Sequence, residues 1–457
     1  MTAGRFSLLK STTVPGIIAP LAALFVFFLL SALYAFGARD VYAAVMSHWG
    51  IEPFPFDITF GDMQGLLAAW QCDRLGTDVV VSDPCDILHR PFNYSPLWLV
   101  ASPLGLGIGA TKAAGWLSGL AFLLSLFLLP PPQRARELPF VILATLSTMV
   151  AFAVERGNPD LMIFMLALAM GYLALRSSRL RFFAYGVGLV AGLLKYYPLT
   201  LLALTVRERV STFVVVNVVA LALVVAFAAG YHADIARGLP TIASGIYYGD
   251  MFAAKNLPFG IAETVLGSGD ATAADASPPH LLGLVLEALL LLFCAANSAR
   301  LIRGSGLRQG LATLTPRESI FLAIGGVLII GCFFAGQNVG YRGIFLLLVL
   351  PGLLAVARNA PDKATQGLLK FASVLIVLLM WGEFFRTNLI FALRGFHLGE
   401  GAVLAGWLGF WLLRELAWWW AISVLAATTL WLLLQSPVGR RASSALPRRV
   451  PAGGPAT

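Results

Sequence analysis

Between Val14 and Phe36 the chain runs without a single charged side chain. Apolar segments return along its length near 112–130, 139–154, 160–175, 211–230, 281–299, 319–335, 341–357, 369–388 and 416–435. A helix needs about 20 apolar residues to cross the hydrocarbon core of a bilayer. Lipid offers backbone polar groups no partners, so only helices or a closed barrel can span it. Barrel strands alternate apolar and polar positions, and these runs do not. Of the 457 residues 58% are hydrophobic and only 12% charged, against about a quarter charged in an ordinary soluble domain. The expectation is an all-α integral membrane protein with about ten transmembrane helices, one polytopic domain over residues 1–435.

The first run is longer than the apolar region of a secretory signal and leads into Gly37-Ala38-Arg39-Asp40, so it is expected to stay as a span. Two shorter arms, 182–194 and 198–206, meet at Lys195-Tyr196-Tyr197-Pro198. Neither crosses a bilayer comfortably, which predicts a broken or re-entrant hairpin with its break at Pro198. With the N-terminus cytoplasmic, 20 of the 32 basic residues fall in inner segments, against four of the 23 acids: Glu137, Glu208, Glu318 and Asp362. This is the asymmetry of the positive-inside rule, and it returns the C-terminus to the cytoplasm. The net charge of +9 is thereby assigned to loops facing anionic lipid, and no nucleic-acid partner is expected. The tail 436–457, rich in Arg, Pro, Ala and Gly, is expected to be disordered. Trp418-Trp419-Trp420 reads as an interfacial aromatic belt, with 401–415 lying along the surface as an amphipathic helix.

Two external loops follow from this topology, at 38–93 and 231–280. The stretch from Arg39 to Trp98 carries Asp40, Glu52, Asp57, Asp62, Asp73, Asp78, Asp83 and Asp86. It also holds Cys72 and Cys85; an oxidising compartment favours their pairing as a disulfide, two free thiols being the alternative. The isolated histidines and the lack of a CxxC pair or HExxH leave a metal site unsupported. Met63, Leu66, Leu67 and Trp70 recur at helical spacing, which predicts a short amphipathic helix resting on the membrane with Asp62 in its first turn. Asp62 there either complements the helix dipole or serves as a base at the lipid boundary. Asp40 is the second candidate, with an ion pair to Arg39 as its plain reading. In the second loop, Tyr247, Tyr248, Asp250 and Lys255 read as a solvated stretch, the alternative being a sugar or acceptor site lined by stacking and hydrogen bonding. Glu287 falls inside a span, where a carboxylate is costly.

Five segments, in order, carry a resemblance: GDMQGLLAAW, PFNYSPLW, ERGNPDLMIF, GLLKYYPL and GQNVGYRGIFLLLVLP. Over roughly residues 14–360 the chain resembles polytopic glycosyltransferases of the GT-C superfamily, in the branch of bacterial polyprenyl-phosphate-dependent mannosyl- and arabinofuranosyltransferases. Relatives often carry Tyr-Pro-Pro where this chain has Tyr94-Ser95-Pro96, so the resemblance does not choose the sugar. It implies a bacterial inner-membrane enzyme working on the periplasmic face. The donor would be a sugar on a polyprenyl phosphate and the acceptor a lipid or glycan hydroxyl. Transfer would invert the anomeric carbon, without metal or other cofactor at the bond-forming step. Asp62 matches the position of the base, with Asp40 in reserve. The same motifs supply Asn93, Tyr94, Asn158, Tyr196 and Tyr341 as substrate-lining residues.

The chemistry asks for those residue types. A sugar hydroxyl is a weak nucleophile, and a positioned base contributes about 10²–10⁴-fold. A departing phosphate builds negative charge where the dielectric is low, so fixed cations count most there. Lys195 at the hairpin tip, Arg156 after Glu155, and Arg342 after Tyr341 are the candidates. Each has a plainer alternative: snorkelling for Lys195, an ion pair with Glu155 or Asp160 for Arg156, and a structural pairing for Arg342. Two other functions also stay open, a transporter or flippase of a lipid-linked sugar and a non-catalytic subunit of an envelope-assembly complex. A transporter commonly shows paired broken helices in both halves, and only one broken hairpin is legible here.

Overall fold

The computed structural model describes residues 14–52, 59–241, 247–249, 251–267, 277–336 and 338–445. Among them helices dominate, and the strands form one short antiparallel pair, Met251–Phe252 with Asn338–Val339. Nine helices among the described residues are long and apolar enough to cross a membrane: Gly16–Ala35, Ile108–Leu128, Ala135–Arg156, Val210–Gly230, Pro278–Arg303, Pro316–Ala335, Gly340–Asn359, Lys363–Met380 and Glu400–Leu434. Asp160–Ala174 is a tenth apolar helix of 15 residues.

These helices sort into a buried centre and a lipid-facing rim. Of the most apolar window of Gly340–Asn359, 89% is buried within the protein, and of Pro316–Ala335, 72%. For Val210–Gly230 the share is 6% and for Pro278–Arg303 17%. A helix apolar on all sides belongs in a core or in lipid, and both fates occur here. Val215, Val218 and Leu221 on the rim face outward, where hydrocarbon rather than water is the natural neighbour.

Several sequence expectations need correction. Glu400–Leu434 is one helix of 35 residues, not a surface helix followed by a span. Its charges are tolerated because they satisfy each other: Arg414 reaches Glu383 at 2.7 Å and Glu415 at 2.9 Å. Trp418 and Trp419 do not form an interfacial belt; they are 2% and 1% exposed and pack on Phe252 and Phe333. The expected span 369–388 is divided into Lys363–Met380 and Gly382–Gly395. The start of the expected disordered tail is a helix, Pro437–Ala445; residues 446–457, like Asp57 and Asp250, lie outside the described residues. The helix bearing Asp62, Gly61–Arg74, does not rest on a surface, since Met63, Leu66, Leu67, Ala68, Ala69 and Trp70 are all buried. Glu287 is half-buried on the rim helix, with no hydrogen-bond or ion-pair partner among the described residues.

The broken hairpin forms, with a different break. Ser178–Lys195 is α-helical, Tyr197–Arg207 is a 3-10 helix, and Tyr196 between them takes φ 60. Pro198 sits inside the first turn of the returning arm, where its missing N–H costs nothing. The arms close at Gly192, where an added Cβ would stand 2.5 Å from Leu199.

All four acids assigned to inner segments serve as caps or ion-pair partners. Arg358 joins Glu137 at 2.7 Å and Glu318 at 3.5 Å, clasping the starts of two helices to the end of a third. The same Glu137 accepts from the backbone N–H of Gln133, and Glu318 from that of Thr315. Glu208 takes Arg181 and the Tyr185 hydroxyl, both at 2.9 Å. Asp362 caps Lys363–Met380 through the Thr365 N–H.

Candidate functional site

At the opposite end of the bundle from that clasp lies a cleft of about 430 Å³. Asp62, Asn93, Tyr94, Arg156, Lys195, Tyr196, Tyr341 and Arg342 all line it, from five separate stretches of chain. Asn158 lies beneath them, fully buried. Asp40 is exposed on the helix Arg39–His48 and does not line the cleft.

Backbone turns unusual for large residues set the two sides. Phe60 takes φ 64 just before Gly61–Arg74, and Tyr196 takes φ 60 just after Lys195. A bulky residue at positive φ is a true outlier, and such strain persists only where the surroundings impose it. The Phe60 N–H is held by the Glu155 carbonyl at 2.9 Å. Gly157 supplies the third turn at φ 57, between Arg156 and Asn158. A Cβ there would stand 3.1 Å from the Cβ atoms of both Met63 and Phe60, so a side chain would be crowded as well as conformationally strained.

Asn158 is the hinge of the charge arrangement. Its side-chain amide donates to Asp62 Oδ2 at 2.5 Å, while its Oδ1 accepts from Lys195 Nζ at 3.2 Å and from the Asp160 N–H at 2.8 Å. The last contact is the asparagine turn that starts the helix Asp160–Ala174. Asp160, 0% exposed, then gathers Lys195 Nζ at 2.8 Å, the Tyr197 hydroxyl at 2.6 Å and Arg342 Nε at 3.4 Å. Buried charges need partners, and this carboxylate holds two cations at the cleft floor. Lys195 therefore does not snorkel: its side chain is 4% exposed, against Asp160, near the rings of Tyr94 and Tyr341. Arg156 pairs with Glu155 at 3.2 Å, as its plainer alternative proposed, and also donates to the Glu52 carbonyl.

The loop side of the cleft is braced separately. A disulfide joins Cys72 to Cys85, tying the end of Gly61–Arg74 to the turn bearing Asp83 and Asp86. Arg90 folds back on Asp86 at 2.7 and 3.1 Å and reaches the Gly61 carbonyl at 3.2 Å. Gly65 admits it, since a Cβ there would meet Arg90 Nη2 at 2.9 Å. Burial and the nearby Asp62 carboxylate push the Tyr94 phenol well above its ordinary range, so it remains a neutral hydroxyl able to donate. Across the cleft, Met251–Phe252 pairs with Asn338–Val339, bringing the second loop against the wall formed by Asn338 and Val339.

Asp160, Asp83, Asp86, Arg90 and Asn338 were missed as cleft residues from sequence. Asp160 carried a usable signal, an acid opening an apolar helix two residues after Asn158. Asp86 and Arg90 carried the i,i+4 spacing of a pair. Asn338 had none.

The described residues define an all-α protein whose apolar helices mark it as a multi-pass membrane protein. No protein-family model, curated protein or solved structure matches the chain.

Proposed function

We propose that this protein is a membrane glycosyltransferase that moves a sugar from a polyprenyl-phosphate donor to an acceptor hydroxyl, at the bundle end holding the cleft. The observation that carries the reading is Asn158, which joins one carboxylate to a cationic floor: Asp62 on one side, Lys195 and Arg342 on the other. Asp62, partly open to the cleft, takes the proton of the acceptor hydroxyl as that oxygen bonds to the anomeric carbon. The bond from that carbon to the phosphate oxygen breaks, and the departing polyprenyl phosphate carries away the electron pair. Lys195 and Arg342 meet the charge that develops on it, within a site shielded from bulk water. Attack opposite the leaving group inverts the anomeric carbon. Tyr94, Tyr196 and Tyr341 offer hydroxyls and ring faces to the sugar. The acid-lined loop side and the basic loops at the far end support a site on the periplasmic face of a bacterial inner membrane.

The test is transfer of labelled sugar from a panel of polyprenyl-phosphate donors by purified wild type and Asp62→Asn. Asn keeps the size of Asp and accepts from Asn158, so the fold should hold. Transfer should fall by about 10²–10⁴-fold. Equal transfer by both proteins removes Asp62 as the base; no transfer by wild type from any donor–acceptor pair removes the transferase reading.

A further inference from the structure

The hairpin tip that carries Lys195 is gripped residue by residue from one neighbouring segment. The Leu194 carbonyl accepts from the indole N–H of Trp98 at 3.1 Å. Lys195 Nζ stands 5.3 Å from the ring centre of Tyr94, and the Tyr196 hydroxyl is hydrogen-bonded to Ser95. Trp98 reaches further than the other two. It is 7% exposed and belongs to the apolar cluster built on the helix Gly61–Arg74, with Met63, Leu66 and Leu67; Leu194 packs against the same cluster. Asn158 makes the polar tie between Asp62 and Lys195. Trp98 makes an apolar one, between the helix that bears Asp62 and the last turn before Lys195.

The carbonyl of Leu194 needs that partner. The last four carbonyls of a helix have no N–H within it. In Ser178–Lys195, Gly192 finds the Tyr196 N–H at 2.6 Å, and Leu194 finds Trp98. A carbonyl left alone away from water is costly, so without the indole the tip would turn toward another donor. Tyr196 beside it sits at φ 60, a conformation that persists only while its surroundings impose it. A loosened tip therefore has a more comfortable backbone to relax into, and Lys195 would turn with it, off Asp160 and away from the cleft floor.

We propose that Trp98 is a positioning residue for the transfer: its indole N–H fixes the place of Lys195 against the helix that bears Asp62. The proposal rests on the transferase reading for its effect on the donor; the placing of Lys195 does not. Trp98→Phe removes the N–H together with some packing. Trp70→Phe is the control, since Trp70 is 8% exposed in the same cluster and its indole N–H has no hydrogen-bond partner among the described residues. In the transfer assay Trp98→Phe should lower kcat/KM for the donor about tenfold, with the acceptor KM unchanged. Trp70→Phe should change neither. In a Lys195→Met background Trp98→Phe should have no further effect on the donor, because the side chain it places is gone. Equal losses from the two tryptophan variants, or the same loss in the Lys195→Met background, overturn the proposal.

A second measurement needs no sugar. Reductive methylation of the folded proteins, read against the exposed Lys363, reports how open Lys195 is. Its side chain is 4% exposed, so it should react slowly in wild type and in Trp70→Phe, and several-fold faster in Trp98→Phe. An unchanged rate in Trp98→Phe overturns the placing of Lys195 whether or not any sugar is transferred. Absence of transfer by wild type defeats the transferase reading and the donor effect with it, leaving the methylation to decide the placing. Should the phenylalanine variant not fold, replacing the Trp98 indole by benzothiophene, which keeps its shape and loses only the N–H, takes its place in both assays.

Discussion

Replacing Asp160 by Asn should cost more than replacing either cation it holds. The carboxylate is 0% exposed, with Lys195 Nζ at 2.8 Å and Arg342 Nε at 3.4 Å. At an effective dielectric constant of about 20 those attractions amount to about 6 and about 5 kcal/mol. Taking the ions out of water cancels most of this. What remains exposed by the substitution is two buried cations facing each other without their counter-ion, for which about 3–5 kcal/mol of lost stability is expected. Lys195→Met leaves Asp160 still bonded to Arg342 and to the Tyr197 hydroxyl, so its loss should be about half as large. The Asp160→Asn/Lys195→Met double variant should recover part of the Asp160→Asn loss, because only Arg342 then lacks its partner. Unfolding in mixed micelles, followed by fluorescence of the 11 tryptophans, measures all four proteins. An Asp160→Asn protein as stable as Lys195→Met would refute the reasoning, since the two cations would then be neutralised by something other than Asp160.

Asp40→Asn should leave sugar transfer within about twofold of wild type under the same assay that silences Asp62→Asn, because an exposed charge outside the cleft adds little. Gly157→Ala should destabilise by about 1–3 kcal/mol, the range for backbone strain of this kind, and should lower transfer by shifting Asn158; a thermal-shift series against Gly109→Ala, a glycine with open space around it, checks it. Reducing the Cys72–Cys85 bridge, or Cys72→Ser with Cys85→Ser, should loosen the Asp83–Arg90 turn by about 3 kcal/mol in the chain-entropy account. Hydrogen exchange should rise there and not in Pro316–Ala335. Arg358→Ala should cost about 3 kcal/mol by stranding Glu137 and Glu318 together, with no change in the KM of either substrate.

The apolar runs made the helices legible, because lipid imposes one requirement on every span. Charges inside runs were the source of misreading. Arg414 and Glu415 suggested a surface segment, yet they lie inside one long helix and are compensated by Glu383 of the neighbouring helix. The tryptophan triplet suggested an interface, but its partners Phe252 and Phe333 come from distant chain. Asp62, Lys195, Arg156 and Arg342 were legible as types of residue the proposed chemistry needs. That Asn158 and Asp160 connect them was not, because both act across 35 residues or more of chain, where spacing carries no information. Pro198 drew the expected hairpin break two residues too far; the turn is made by Tyr196, a residue with no intrinsic preference for it.

The helix Asp160–Ala174 sets the depth of the site. Its 15 residues rise about 22 Å, whereas the hydrocarbon core is about 30 Å thick. Arg176 and Arg179 just beyond its far end belong at headgroup level, so the shortfall falls at Asp160. The cleft floor then lies about 8 Å below the plane where lipid headgroups begin. For the proposed transfer, a donor anchored by a flexible chain would reach that level by bending its head downward, while a water-soluble donor would have to descend from solution with no anchor to offset the loss of hydration.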